Sequence, residues 1–244
     1  MKGFFRPRGL FAAALLALAA GLSAQDAGRP DGTEAPAAKA SFAQSLAWSF
    51  RGTLMIFPEE NGLKGAPMPL LPSPGAALAW RFWGPLEAEL SLDLYFTHYG
   101  YDWDLGRPLP VEIENRSAFV LGALTGLQIG YRRPLGIGVL RAYLGPAADL
   151  RLVITAADLN EADLIKDDPW GAPMQVDAVR DYFWKQGRWF FPFAGAGFDF
   201  PVNAGFYFGI DFRVWFPAYR LWTAEDLPPL EGWRFGPALR ISLR

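Results

Sequence analysis

The chain has 244 residues, a formal charge of -2 and no cysteine. That charge balance excludes the basic surface a nucleic-acid partner needs, and the lack of thiols excludes disulfides, a thiolate metal site and a cysteine nucleophile. Aromatic residues make up 16% and charged residues only 20%, and the lysines (2, 39, 64, 166 and 185) all lie outside the segments read below as strands, where a soluble sheet would place some of them.

The N-terminus has the layout of a secretory signal over 1–24: Lys2, Arg6 and Arg8, then an apolar run from Leu10 to Leu22, then small residues at Ser23 and Ala24. That run is shorter than the ~20 residues a membrane-spanning helix needs. Residues 25–40 are small, polar and aperiodic, and are expected to form a disordered leader. The remainder, 41–244, is read as one domain.

Within it, eight segments alternate apolar and polar side chains with a period of two, the mark of half-buried strands. They are 44–56, 75–83, 86–96, 117–132, 137–153, 188–200, 205–216 and 232–244. The clearest is 86–96, where Leu86, Ala88, Leu90, Leu92, Leu94 and Phe96 interleave with Glu87, Glu89, Ser91, Asp93 and Tyr95. Three connections are short and carry turn chemistry: Gly84-Pro85, the stretch from Arg133 to Gly136, and the stretch from Pro201 to Ala204. The other connections, 57–74, 97–116, 154–187 and 217–231, are far longer than a hairpin requires. Strict alternation of short and long connections puts all turns at one end and all loops at the other. This predicts an all-β, closed, antiparallel up-and-down transmembrane barrel with periplasmic turns and extracellular loops.

Alternation alone leaves open which face points inward, because a soluble lipocalin-like barrel would read the same. Three features favour apolar-out. The polar face carries Arg, Asp and Glu without Lys. It is also rich in glycine (122, 126, 130, 195, 197, 209 and 236), which suits a cramped interior. Aromatics gather at strand ends: Trp80, Phe82, Tyr131, Phe200 and Phe206 at one rim, Phe57, Phe119, Trp189, Phe216 and Trp233 at the other. Pro146, Pro192 and Pro237 fall inside these strands, so each should mark a bulge or a misplaced boundary.

A barrel of about eight strands has a lumen that side chains just fill. The inward set is Arg51, Arg81, Glu87, Glu89, Asp93, Arg141, Asp149, Arg151, Asp199, Asp211, Arg213, Arg234 and Arg240. Its near-balance of sign predicts a cross-linked ionic network, since an unpaired charge in so confined a space is costly.

Over about 40–244 the chain resembles the small eight-stranded outer-membrane β-barrel proteins (the OmpA-transmembrane, OmpX and OmpW type) in alternation, loop asymmetry and aromatic rims. The resemblance implies residence in the outer membrane of a double-membraned bacterium, contact with its lipids, a monomeric state and no cofactor. The stretch from Arg234 to Ile241 is similar to the assembly signal read by the barrel-assembly machinery, with Arg234, Gly236, Leu239 and Ile241 at the characteristic spacing, although Arg244 stands where that pattern has an aromatic.

The expected role is structural or surface-binding, with a charged, plugged lumen and contacts made through the loops. A narrow channel for ions or small solutes is the second reading. A lipid-modifying enzyme is a distant third, resting on His98 and, on the neighbouring strand, Ser117. No catalytic residue is assigned. Loop 154–187 is the expected contact for a host or surface ligand. Its acids (Asp158, Glu161, Asp163, Asp167 and Asp168, with Asn160) lack calcium-loop spacing, so no metal is assigned. Helical spacing within that loop, Val176 to Lys185, predicts a short rim helix.

Overall fold

The computed structural model describes residues 46–59, 70–111, 117–155 and 172–243. The segments read from sequence as a signal (1–24) and a leader (25–40), and the acidic stretch of loop 154–187, lie outside those residues. The strands are β1 (Leu46–Ile56), β2 (Leu70–Trp83), β3 (Leu86–Asp102), β4 (Arg107–Pro110), β5 (Ala118–Leu135), β6 (Gly138–Gly145), β7 (Ala147–Thr155), β8 (Phe193–Asn203), β9 (Phe206–Trp215) and β10 (Arg234–Leu243). Two α-helices are described, α1 (Ala172–Trp184) and α2 (Arg220–Thr223), with a 3-10 turn at Lys185–Gly187 after the first.

All pairings are antiparallel, and the ring closes through β1–β10 and β3–β5. Strands β6 and β7 are two halves of one span broken at Pro146: β5 pairs with β6 along its lower half and with β7 along its upper half. The wall therefore has eight spans, and β4 is an extra hairpin arm that extends β3 beyond the ring. A barrel satisfies every ladder group internally, which is what allows a sheet to sit in hydrocarbon.

The three prolines behave differently. Pro146 interrupts the span, and its carbonyl accepts from Leu127 N at 3.0 Å. Pro192 lies just before β8, so that strand begins at Phe193 rather than at 188. Pro237 sits inside β10 without a register shift. It pairs with Phe212 of β9, while the ladder to β1 skips from Ala238 to Phe235. No bulge forms there; the missing N–H is absorbed by a gap in one ladder.

Strand β2 starts five residues earlier than alternation suggested, at Leu70, and includes Pro72 and Pro74. Above Gly75 it pairs with β1 but not with β3, so both prolines occupy a local edge.

The exterior positions form an apolar belt: Trp48, Phe50, Leu90, Leu92, Leu94, Leu127, Ile129, Leu152, Ile210 and Leu239 are all exposed. The residues between them, Ser49, Ser91, Asp93 and Gln128, are buried and polar. Large rings fit inside because glycine faces them. A methyl group added at Gly122 would run into the Tyr95 ring, and one at Gly236 would come within 2.7 Å of Trp215 Cζ3.

Candidate functional site

Side-chain parity sends one residue in two from each strand into the lumen, and at the short-turn end most of the long inward side chains are ionic, set among alanine, serine and glycine. They form a continuous chain of alternating sign. Glu87 accepts from Arg132 Nη1 (2.9 Å), whose Nη2 lies 3.7 Å from Asp199. Asp199 meets Arg141 Nε at 3.0 Å, and Arg141 Nη2 reaches Asp211 at 2.5 Å. Arg240 lies 3.7 Å from Asp211 and donates to Glu89 at 2.7 Å; Arg51 spans Glu89 (2.9 Å) and Asp93 (3.3 Å). Arg213 completes the chain with both terminal nitrogens on Asp93, at 2.7 and 3.0 Å, and a third bond to Thr53 Oγ1 at 2.8 Å. The two-pronged geometry is the strong form of an arginine–carboxylate pair.

An aromatic layer lies above this chain. Trp215 stacks on Phe193 at 6.0 Å, Phe193 meets Tyr143 edge-on, and Phe57 leans on Tyr95 at 5.4 Å, with Met55, Leu124 and Phe191 filling the gaps. The Arg213 guanidinium rests 4.8 Å over the Trp215 ring, joining the two layers.

Beyond the aromatics a second ionic node is built on Asp149. It accepts from Tyr95 Oη (2.8 and 2.9 Å), from Arg234 Nη2 (2.5 Å) and from Arg151 Nε. Both arginines are also covered by rings: Arg234 lies 4.0 Å over Phe191, and Arg151 lies 3.9 Å over Phe183.

Phe183 belongs to α1, whose Val179 and Phe183 pack on Tyr99, Ala118 and Val120 at the long-loop rim. The residues at i, i+3, i+6 and i+7 (Val176, Val179, Tyr182, Phe183) form its apolar face, and Pro173 falls in the first turn, where a missing N–H is tolerated. Ion pairs tie down the surrounding segments: Arg107 to Glu231 at 2.5 Å, and Arg188 to Glu225. A small cavity under them is lined by Glu59, Tyr99, Arg107, Arg151, Tyr219 and Glu231, among others. Burial raises the Glu59 carboxyl above its ordinary range against the pull of Arg151, and burial pushes the Tyr219 phenol up to about 12.

Of the residues assigned to the lumen from sequence, Arg51, Glu87, Glu89, Asp93, Arg141, Asp149, Arg151, Asp199, Asp211, Arg213, Arg234 and Arg240 are buried. Arg81 is the exception. It is exposed, because parity gives the face but not the height, and position 81 lies at the short-turn mouth beside the register shift at Trp83. Phe57 also departs from its expected place in the outer girdle: it is 1% exposed and part of the aromatic layer.

Arg132 went unrecognised although it continues the parity of Gly126, Gln128 and Gly130. Among the residues of the candidate assembly signal, Arg234 and Gly236 point into the lumen, while Leu239 and Ile241 are exposed on the outer face. His98 and Ser117 do meet, with Nδ1 3.2 Å from Oγ, and the imidazole edge packs on Phe119 at 5.4 Å. The contact links β3 to the start of β5 on the outward face.

No family model matches the chain, and no curated protein matches it. Among solved structures it is similar to Neisserial surface protein A, with 7% identity over 82% of this chain and 96% of that one and a TM-score of 0.47. It is also similar to the outer membrane protein OprG from Pseudomonas aeruginosa (12% identity, 82% and 96% covered, TM-score 0.47). A third is Ail, the attachment invasion locus protein of Yersinia pestis, in complex with the heparin analogue sucrose octasulfate (10% identity, 82% and 95% covered, TM-score 0.40). At such identities the fold rests on the strand pairing described above rather than on the likeness.

Proposed function

We propose that this chain is an integral outer-membrane barrel whose lumen is a plug, and whose role is structural or surface-binding through the long-loop end. The observation that carries this reading is the inversion of an ordinary soluble barrel: Leu90, Leu127, Leu152 and Leu239 are more than half exposed, while Glu89, Asp93, Arg141 and Arg213 are 1% exposed. A lipid solvent favours that arrangement and water penalises it. The order of layers supports the plug, since a solute entering at the turns meets first a chain of ion pairs and then the Trp215–Phe193 stack.

On this reading the barrel-assembly machinery and outer-membrane lipids are its partners, the protein is a monomer, and the loops around α1 supply any surface contact. Planar-bilayer recording of the purified mature chain tests the plug. We expect electrical silence; reproducible small unitary steps would favour a narrow conduit instead. Deleting residues 156–171 is expected to reduce whole-cell adhesion while the barrel still assembles, and unchanged adhesion would remove the binding role. His98→Ala should leave lipid A mass profiles unaltered, because the described contacts of that histidine are one hydroxyl and one ring edge.

A further inference from the structure

At the short-turn end the lumen opens into a cavity of about 380 Å³, continuous with solvent, whose walls come from β2, β5, β6 and β9 and include Arg81, Pro85, Arg132, Val139 and Tyr207. Around the ring β2, β9 and the neighbouring pair β5–β6 lie on different sides, so the cavity is the mouth itself and not a groove on its side.

Counting charge around it locates a surplus. The ionic chain matches Arg51, Arg132, Arg141, Arg213 and Arg240 with Glu87, Glu89, Asp93, Asp199 and Asp211, one for one. Arg81 stands outside that balance. Glu87 is its neighbour across the β2–β3 ladder, but the Glu87 carboxylate is turned to Arg132 instead. Arg132 itself is only 6% exposed, and its Nη2 has no hydrogen-bond acceptor among the described residues. Its Nη2 reaches Asp199 only at 3.7 Å, so this buried guanidinium keeps an N–H free to donate beside an arginine whose charge is not balanced within the chain.

We propose that this mouth binds a phosphate group, held between the exposed Arg81 guanidinium and the Nη2 of Arg132. Arginine forks match phosphate oxygens in geometry as well as charge. The phosphate has two sources that share this chemistry, a phospholipid headgroup of the adjoining leaflet and free phosphate in solution. Binding itself does not depend on the membrane reading.

The test is calorimetric titration of the mature chain, folded in non-ionic detergent, with inorganic phosphate and separately with a short-chain phosphatidylglycerol. Saturable binding of phosphate is expected, weakened at least tenfold by Arg81→Gln and weakened also by added salt. Arg133→Gln, on the opposite face of β5, should bind like the parent. If the phosphatidylglycerol competes with phosphate, the headgroup is the source; if it does not, the site takes free phosphate. A titration without saturable heat, or an Arg81→Gln variant that binds phosphate as tightly as the parent, overturns the proposal. Circular dichroism and thermal unfolding of each variant separate lost binding from lost folding.

Discussion

The two halves of the lumen solve one packing problem in different ways. Toward the turns, side chains are held almost wholly by charge, in a chain where every carboxylate touches two or more arginines except Glu87 at its end. Toward the loops, the lumen carboxylate Asp149 holds two arginines and a tyrosine, and rings cover much of the rest. The first arrangement is redundant, because a lost partner leaves another within reach. The second concentrates its charge at one residue and relies on aromatic faces to cover what that residue does not neutralise.

The largest expected effect breaks the second arrangement. Asp149→Ala strands Arg151 and Arg234 together, and should lower stability by about 3–5 kcal/mol, read from urea unfolding in lipid vesicles. Glu87→Gln in the redundant half should cost clearly less, since Arg132 retains Asp199 as a neighbour. Equal losses would mean that the halves are not different.

Next comes the outer wall. Leu90→Arg places a charge in the apolar belt and should cost ~2–4 kcal/mol in the same assay; no change would argue against lipid on that face. Gly122→Ala drives a methyl into the Tyr95 ring and pulls its hydroxyl off Asp149, for a loss of ~1–3 kcal/mol.

Smaller still is the exposed pair Arg180–Asp177 on α1, 52% and 63% exposed, whose removal should cost less than ~1 kcal/mol. The last is a slope. Because the folded-state pKa of Glu59 is raised, its contribution is full below the unfolded carboxylate range and is lost as pH climbs through the raised value. Protease sensitivity of the long-loop end should therefore increase from acid to neutral pH, and Glu59→Gln should flatten that rise.

Much of this was legible in the residues. A period of two fixed the faces of β3, β9 and β10, and loop lengths fixed the up-and-down order. What escaped was whatever depends on position along the barrel axis. Parity put Arg81 inside but could not tell that it stops at the mouth. Phe57 and Trp215 look like girdle residues or generic inward positions until their heights place them in one layer. The early start of β2 was hidden by Pro72 and Pro74, which are tolerable only because β3 does not pair there. Arm β4, with Pro108 and Pro110 among its four residues, has no strand signature at all. The Asp149 node joins residues 85 positions apart, and no local pattern announces that contact.

The direction of the two faces admits one direct measurement, helped by the absence of native cysteine. Single cysteines at Leu90, Leu92 and Ser91 can carry a nitroxide whose relaxation by oxygen and by a water-soluble nickel chelate is compared in bilayers. Labels at 90 and 92 should show high oxygen access and negligible nickel access, and the label at 91 should show low access to both. If nickel reaches 90 and 92 freely while oxygen access peaks at 91, the apolar belt faces water and the account given for this barrel is wrong.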